Sequence, residues 1–197
     1  MSLLFAMFSF SLAMSISPGP VNMIILSSSA NYGIRRTFAF VSGATIGFSL
    51  LLLFIGLGFD KVINTYPFFL KYLAVVGSLF IVYMGFKIAS STSELSIEKQ
   101  KQVTFLQGFI LQWLNPKAWL ACVAGVSMFT DKNNNQVFIV FTLIYFFVCY
   151  LSLFSWSILG SKASLLLDNN NKMRIFNRSM GGLLMISACF LLYSQIF

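Results

Sequence analysis

Histidine is absent from this 197-residue chain, and the acidic residues number only five. Without imidazole, the commonest metal ligand and the usual near-neutral acid–base group are missing. The acids Asp60, Glu94, Glu98, Asp131 and Asp168 fall at the ends of apolar runs or between them, so none is set inside one. That placement argues against transport of metal ions, which needs clustered oxygen or sulfur ligands. It argues equally against an intramembrane hydrolase, which needs a base beside its nucleophile. Cys122, Cys149 and Cys189 are widely separated within apolar segments. They make neither a ligand spacing nor a disulfide framework and read as small buried hydrophobes. No metal and no cofactor is expected, and the chain does not read as an enzyme.

Hydrocarbon is what the chain has in excess: 58% of its residues are hydrophobic and 9% charged. A soluble domain could not cover its surface with so few charges, and the apolar runs are long enough to cross about 30 Å of hydrocarbon. The expectation is one all-α membrane domain over residues 1–197, with the bilayer as its partner. The net charge of +8 could suggest nucleic acid. Arg35, Arg36, Lys99, Lys101, Lys162, Lys172, Arg174 and Arg178 instead sit between apolar runs, where positive charge sets topology. Nucleic acid is therefore not expected as a partner; a homo-oligomer is compatible with the sequence.

Six spans are predicted, over residues 2–30, 37–59, 67–88, 104–129, 137–159 and 180–196. Their length and lack of strict alternation imply helices rather than barrel strands. The first run has no basic residues before it, so it reads as a span rather than a cleaved leader. A polar loop is predicted over residues 90–102, and Asn133, Asn134 and Asn135 close a turn before the fifth span. Arg35, Arg36, Lys87, Lys99, Lys101, Lys162, Lys172, Arg174 and Arg178 lie on one side, against Lys61, Lys71 and Lys132 on the other. This asymmetry predicts a cytoplasmic 90–102 loop and both termini outside.

Two spans are interrupted. Ser17-Pro18-Gly19-Pro20 breaks the first, and Asn115-Pro116-Lys117 breaks the fourth. Proline lacks an N–H and clashes with the preceding turn, so carbonyls such as those of Met14, Ile16 and Gln112 are freed. Open backbone at that depth must be buried in protein or line a wet cavity. The breaks fall at matching places in two three-helix halves, about residues 1–89 and 103–197. An odd number of spans inverts the second half, and paired interruptions of this kind mark transporter sites.

Lys117 near the middle of a span costs at least about 3 kcal/mol unless it finds a partner or a cavity. Asn22, Gln112 and Asn115 are the expected partners; a carboxylate of a bound solute is the functional one, and a loosened carbonyl of the first helix the structural one. Gly43 and Gly47 form a small-xxx-small step, and Gly85 offers a similar close approach between helices.

Ser17-Pro18-Gly19-Pro20-x-Asn22, Gly33-x-Arg35, Gly43-x-x-x-Gly47, Tyr83-Met84-Gly85-Phe86-Lys87 and Gln112-x-x-Asn115-Pro116-Lys117 together resemble the LysE/RhtB amino-acid exporters, in order and over nearly the whole chain. The stretches Leu26-Ser27-Ser28-Ser29 and Lys87-Ile88-Ala89 look most like the cysteine/O-acetylserine exporter branch. The resemblance implies export of amino acids or their derivatives across a bacterial inner membrane, driven by the proton motive force. One residue departs from it: many members carry Asp or Asn directly after Pro-Gly-Pro, where this chain has Val21.

The resulting expectation is a secondary exporter whose site comprises Pro18, Gly19, Pro20, Asn22, Gln112, Asn115, Pro116 and Lys117. Half-helix N-termini after the two breaks would face a solute carboxylate, joined by Lys117. Freed carbonyls and the Asn22 and Gln112 amides would receive its ammonium. An uncoupled facilitator and a non-transporting membrane scaffold are the alternatives.

Overall fold

The computed structural model describes residues 2–59, 68–90, 102–130, 135–167 and 169–196. Among these residues the chain is all helical. Helix α1 (Ser2–Ile16) and α2 (Pro20–Tyr32) are the two arms of the first run, bent by 61° at the proline motif. Helix α3 (Ile34–Phe54) ends in a π-helical turn, Ile55–Phe59. Helix α4 (Phe68–Ala89) follows, then α5 (Phe105–Trp113) and α6 (Pro116–Phe129), which share the second break. Helices α7 (Asn135–Leu166) and α8 (Asn170–Ile196) complete the chain.

Local chemistry sets these boundaries. Gly33 turns α2 into α3 with φ of 79°, a left-handed conformation that a side chain would strain. Thr104 starts α5 with a reciprocal capping box. Its hydroxyl accepts from the Gln107 N–H at 3.3 Å, and its own N–H donates to Gln107 Oε1 at 3.0 Å.

Ile34–Gly58 and Asn135–Leu166 are each long and apolar enough to cross a membrane, and the bent α1–α2 pair qualifies as a third crossing. Val75–Ala89 and Pro116–Phe129 are shorter apolar helices. At 1.5 Å per residue, the 32 residues of α7 span about 48 Å, more than the hydrocarbon needs. The surplus corrects one sequence expectation. Lys162, Lys172, Arg174 and Arg178 are not in a loop; they are exposed positions on α7 and α8. Hydropathy detects where hydrocarbon stops, whereas a helix continues as long as its backbone bonds are satisfied. The predicted loop falls almost wholly on residues 91–101, and Asn133 and Asn134 on residues 131–134, outside the described residues.

Packing centres on α2, α3 and α7, with α5 lying along α3 and α8 along α4. Missing side chains allow the close approaches. A methyl group added at Gly43 would overlap the Phe105 carbonyl, one at Gly108 the Phe40 carbonyl, and one at Gly160 the Leu26 carbonyl. On the α4–α8 contact, Gly85 and Gly181 lie against each other's carbonyls. Phe5, Leu57, Phe147, Leu151 and Leu165 are exposed on the outer helix faces, as lipid-facing side chains are. Cys122 and Cys149 are buried, but Cys189 is exposed, against the expectation of three buried thiols. It falls on the outward face of α8, where apolar residues meet lipid rather than core.

Candidate functional site

The two breaks meet. In an unbroken helix the carbonyl of residue i accepts from the N–H of residue i+4. Pro18 and Pro20 have no N–H to give to Met14 and Ile16, and the extended backbone at Gly19 (φ −167°, ψ 176°) interrupts the rest of the ladder. Side chains take over. The Ser17 hydroxyl donates to the Met14 carbonyl at 3.2 Å, and the indole N–H of Trp156 to the Ile16 carbonyl at 3.1 Å. The Asn22 amide donates to the carbonyls of Ser15 at 3.0 Å and Ser17 at 3.2 Å. From the second break, the Lys117 ammonium donates to Ser17 O at 3.0 Å, Ser17 Oγ at 2.8 Å and Pro18 O at 3.3 Å.

The second break is sealed by the same means. The Gln112 carbonyl, deprived of a donor by Pro116, accepts from the Asn115 N–H at 3.2 Å. The Lys117 N–H goes to Asn115 Oδ1 at 3.2 Å, which caps α6. The Trp113 carbonyl accepts instead from the Trp119 indole at 2.7 Å. Each proline break is thus closed in part by a tryptophan.

These bonds bear on three expectations. The Lys117 ammonium is held by Ser17 and Pro18, acceptors of the first break as in the structural alternative, and not by the side chains of Asn22, Gln112 or Asn115, because it projects from the first turn of α6 across Gly19. An added Cβ at Gly19 would lie 3.3 Å from Lys117 Nζ. The carbonyls freed at Met14 and Ile16 already have donors, the Ser17 hydroxyl and the Trp156 indole. Of the two half-helix N-termini, that of α6 is capped by Asn115, and only that of α2 has no side-chain cap.

Around the crossing lies a cavity of about 40 Å³, with room for about three water molecules. Its wall is built from Met14 and Ser15 of α1, Gly19, Val21 and Asn22 of the first break and α2, and Phe48 of α3. Gln112, Asn115, Lys117, Ala118 and Ala121 enter from the second break and its helices, and Tyr145, Cys149 and Leu153 from α7. Of the eight candidate residues, Gly19, Asn22, Gln112, Asn115 and Lys117 therefore share one cavity. Pro18, Pro20 and Pro116 shape the backbone beside it without lining it.

The α7 wall was missed from sequence, as were the two tryptophans. A signal for it exists: Thr142, Tyr145, Cys149, Ser152 and Trp156 recur at steps of three and four on an otherwise apolar helix, which places them on one face. One turn before Tyr145 on α7, aromatic rings pack together. Phe141 packs on Phe129 at 4.7 Å between centroids, and Phe129 on Phe10 at 5.7 Å. Beyond Leu153 the contacts are polar. Ser29 and Ser157 hydroxyls are 2.6 Å apart, Ser28 and Thr37 hydroxyls 2.9 Å apart, and Asn31 and Asn177 exchange amide bonds at 2.7 and 2.9 Å. Among the described residues, no group of His, Cys, Asp or Glu could hold a metal ion.

Known proteins share this sequence pattern. The cysteine/O-acetylserine efflux proteins of Escherichia coli (strain K12) and Shigella sonnei (strain Ss046) are each 31% identical to the chain over 129 residues. That stretch is 65% of this chain and 66% of each relative, just under two thirds of their length. No solved structure matches it. Residues 12–195, which include both breaks and all the cavity walls, match the family described as LysE type translocator. On that match over nearly its whole length, the chain belongs to the LysE translocator family of membrane transport proteins.

Proposed function

We propose that the protein exports amino acids or small amino-acid derivatives across the bacterial cytoplasmic membrane, by alternating access between two inverted three-helix repeats. One observation carries the reading: two helix breaks, 100 residues apart in sequence, meet at a polar cavity and are joined there through Lys117 and Ser17. Backbone opened at that depth has a use where it can exchange its hydrogen bonds for those of a solute. The relatives named for cysteine/O-acetylserine efflux agree with a small zwitterion as cargo. Lys117 would meet its carboxylate, and the Asn22 and Gln112 amides with the loosened carbonyls would meet its ammonium.

The helix contacts support the repeat. Exchanging the halves (α1 for α5, α2 for α6, α3 for α7, α4 for α8) turns the α3–α5 contact into α7–α1 and α2–α7 into α6–α3. It likewise turns α2–α8 into α6–α4, and every one of these pairs touches. At about 40 Å³ the cavity is too small for an amino acid; rings pack on one side of it, and hydroxyls and amides pair on the other. In this reading, rocking one repeat against the other opens the two sides of the cavity in turn.

Coupling to the proton gradient is the finer part of the proposal. A second reading, an uncoupled facilitator, is favoured by one observation: Val21, which cannot carry a proton, occupies the cavity wall where many members of the resembled family have Asp or Asn. Flux of labelled L-cysteine and O-acetyl-L-serine in proteoliposomes separates the two. Saturable flux that responds to a pH gradient is expected, and Lys117→Met should abolish it in a folded protein. Saturable flux indifferent to the gradient selects the facilitator, and no flux of either solute refutes export of this cargo class.

A further inference from the structure

The Lys117 ammonium does at the first break what a solute would have to do. Its three N–H groups point at Ser17 O, Ser17 Oγ and Pro18 O, all within 3.3 Å. The other carbonyls of the break are held by groups that belong to the same wall: Met14 by the Ser17 hydroxyl, Ser15 by Asn22, Ile16 by Trp156. The Lys117 arm is different in kind. It is a flexible four-carbon stem rooted in the other half of the molecule, and it lies over Gly19, where no side chain fences it in.

We infer that the Ser17–Pro18 acceptors form a binding site for a primary ammonium, which Lys117 itself fills here and which the α-ammonium of a solute takes over by displacing it. Three converging oxygens match the three donors of an –NH3+ group; a planar guanidinium could not address them together, and a quaternary ammonium has no N–H to offer. Displacement leaves Lys117 charged in a span, so it needs a replacement partner at once. A carboxylate on the same solute supplies it. The exchange therefore selects molecules with a free amine and a free carboxylate on the same carbon. An N-acylated amino acid has no ammonium with which to displace the lysine, and a simple amine has no carboxylate to pair it, so neither takes the cradle from it.

This inference rests on the export reading only for the natural ligand, and its test involves no transport. Lys117→Ala shortens the arm and vacates the cradle. Thermal unfolding of the detergent-solubilised variant is followed in ethylammonium chloride, with tetramethylammonium chloride and sodium chloride at equal ionic strength. The expected result is a saturable rise in the unfolding midpoint, about 3–5 °C at ten times the dissociation constant. The rise should appear in the variant with ethylammonium alone and be absent from the wild type, whose own ammonium fills the site. No rise, an equal rise with either control cation, or the same rise in the wild type overturns the ammonium site. Should the variant fail to accumulate, it is synthesised cell-free into nanodiscs with the same salts. Recovery of monodisperse protein with ethylammonium only is then expected, and recovery with none or with all three overturns the proposal. Failure here leaves the flux result standing, and a failed flux assay leaves the cradle standing.

Discussion

The indole of Trp156 donates to the Ile16 carbonyl at 3.1 Å, the very acceptor that Pro20 leaves without a donor. A side chain on α7 thereby completes a helix to which it does not belong, and the broken span depends on its neighbour for order. Trp119 serves the Trp113 carbonyl in the same way, from within the second broken run.

Trp156→Phe should keep the ring and lose the bond. A single interhelical hydrogen bond in a membrane protein is worth about 1 kcal/mol, so the variant should insert normally and unfold about 2–4 °C lower in detergent. Trp119→Phe should behave alike. A wild-type midpoint in both variants would mean that water replaces the indoles without loss.

Close backbone approach makes a second prediction. Gly108→Ala pushes a methyl group into the Phe40 carbonyl, and Gly43→Ala into that of Phe105. Each should destabilise by about 1–3 kcal/mol, as overpacking does, because backbone cannot rotate aside. Gly182→Ala, with nothing within 4 Å of the added carbon, is the control and should match the wild type. Thermal melts of the three variants decide it.

The first break can be healed. Replacing Pro18, Gly19 and Pro20 together by Ala restores the missing donors, and Ala is a better helix residue than Pro by about 3 kcal/mol. The restored ladder would compete with Trp156, Asn22 and Lys117 for the same carbonyls. The triple variant should be at least as stable as the wild type and should not transport. Transport retained by a stably folded triple variant would recast Ser17 to Pro20 as a packing kink.

Topology follows from charge. With nine basic residues against three on the two sides, both termini should be outside and Ser93 cytoplasmic. A cysteine placed at Ser93 should resist an impermeant maleimide in intact cells and react after permeabilisation. Ready labelling of intact cells would reverse the orientation.

Much of this protein is legible in one dimension. The apolar runs locate the helices, because hydrocarbon length and backbone satisfaction leave few other structures possible. The prolines mark both breaks, because the missing N–H is a covalent property of the residue. The length of α7 and α8 beyond the hydrocarbon was not legible, since a solvated helix leaves no hydropathy trace. The partner of Lys117 and the donors that close the breaks were decided only in three dimensions. Sequence shows which carbonyls lose their donors. Which side chain reaches them depends on how α6 and α7 cross α1, and so on glycines whose role is the contact they permit. Tyr145 and Cys149 join the cavity for the same reason: they share a helical face whose direction is set by packing against α1, α2 and α3.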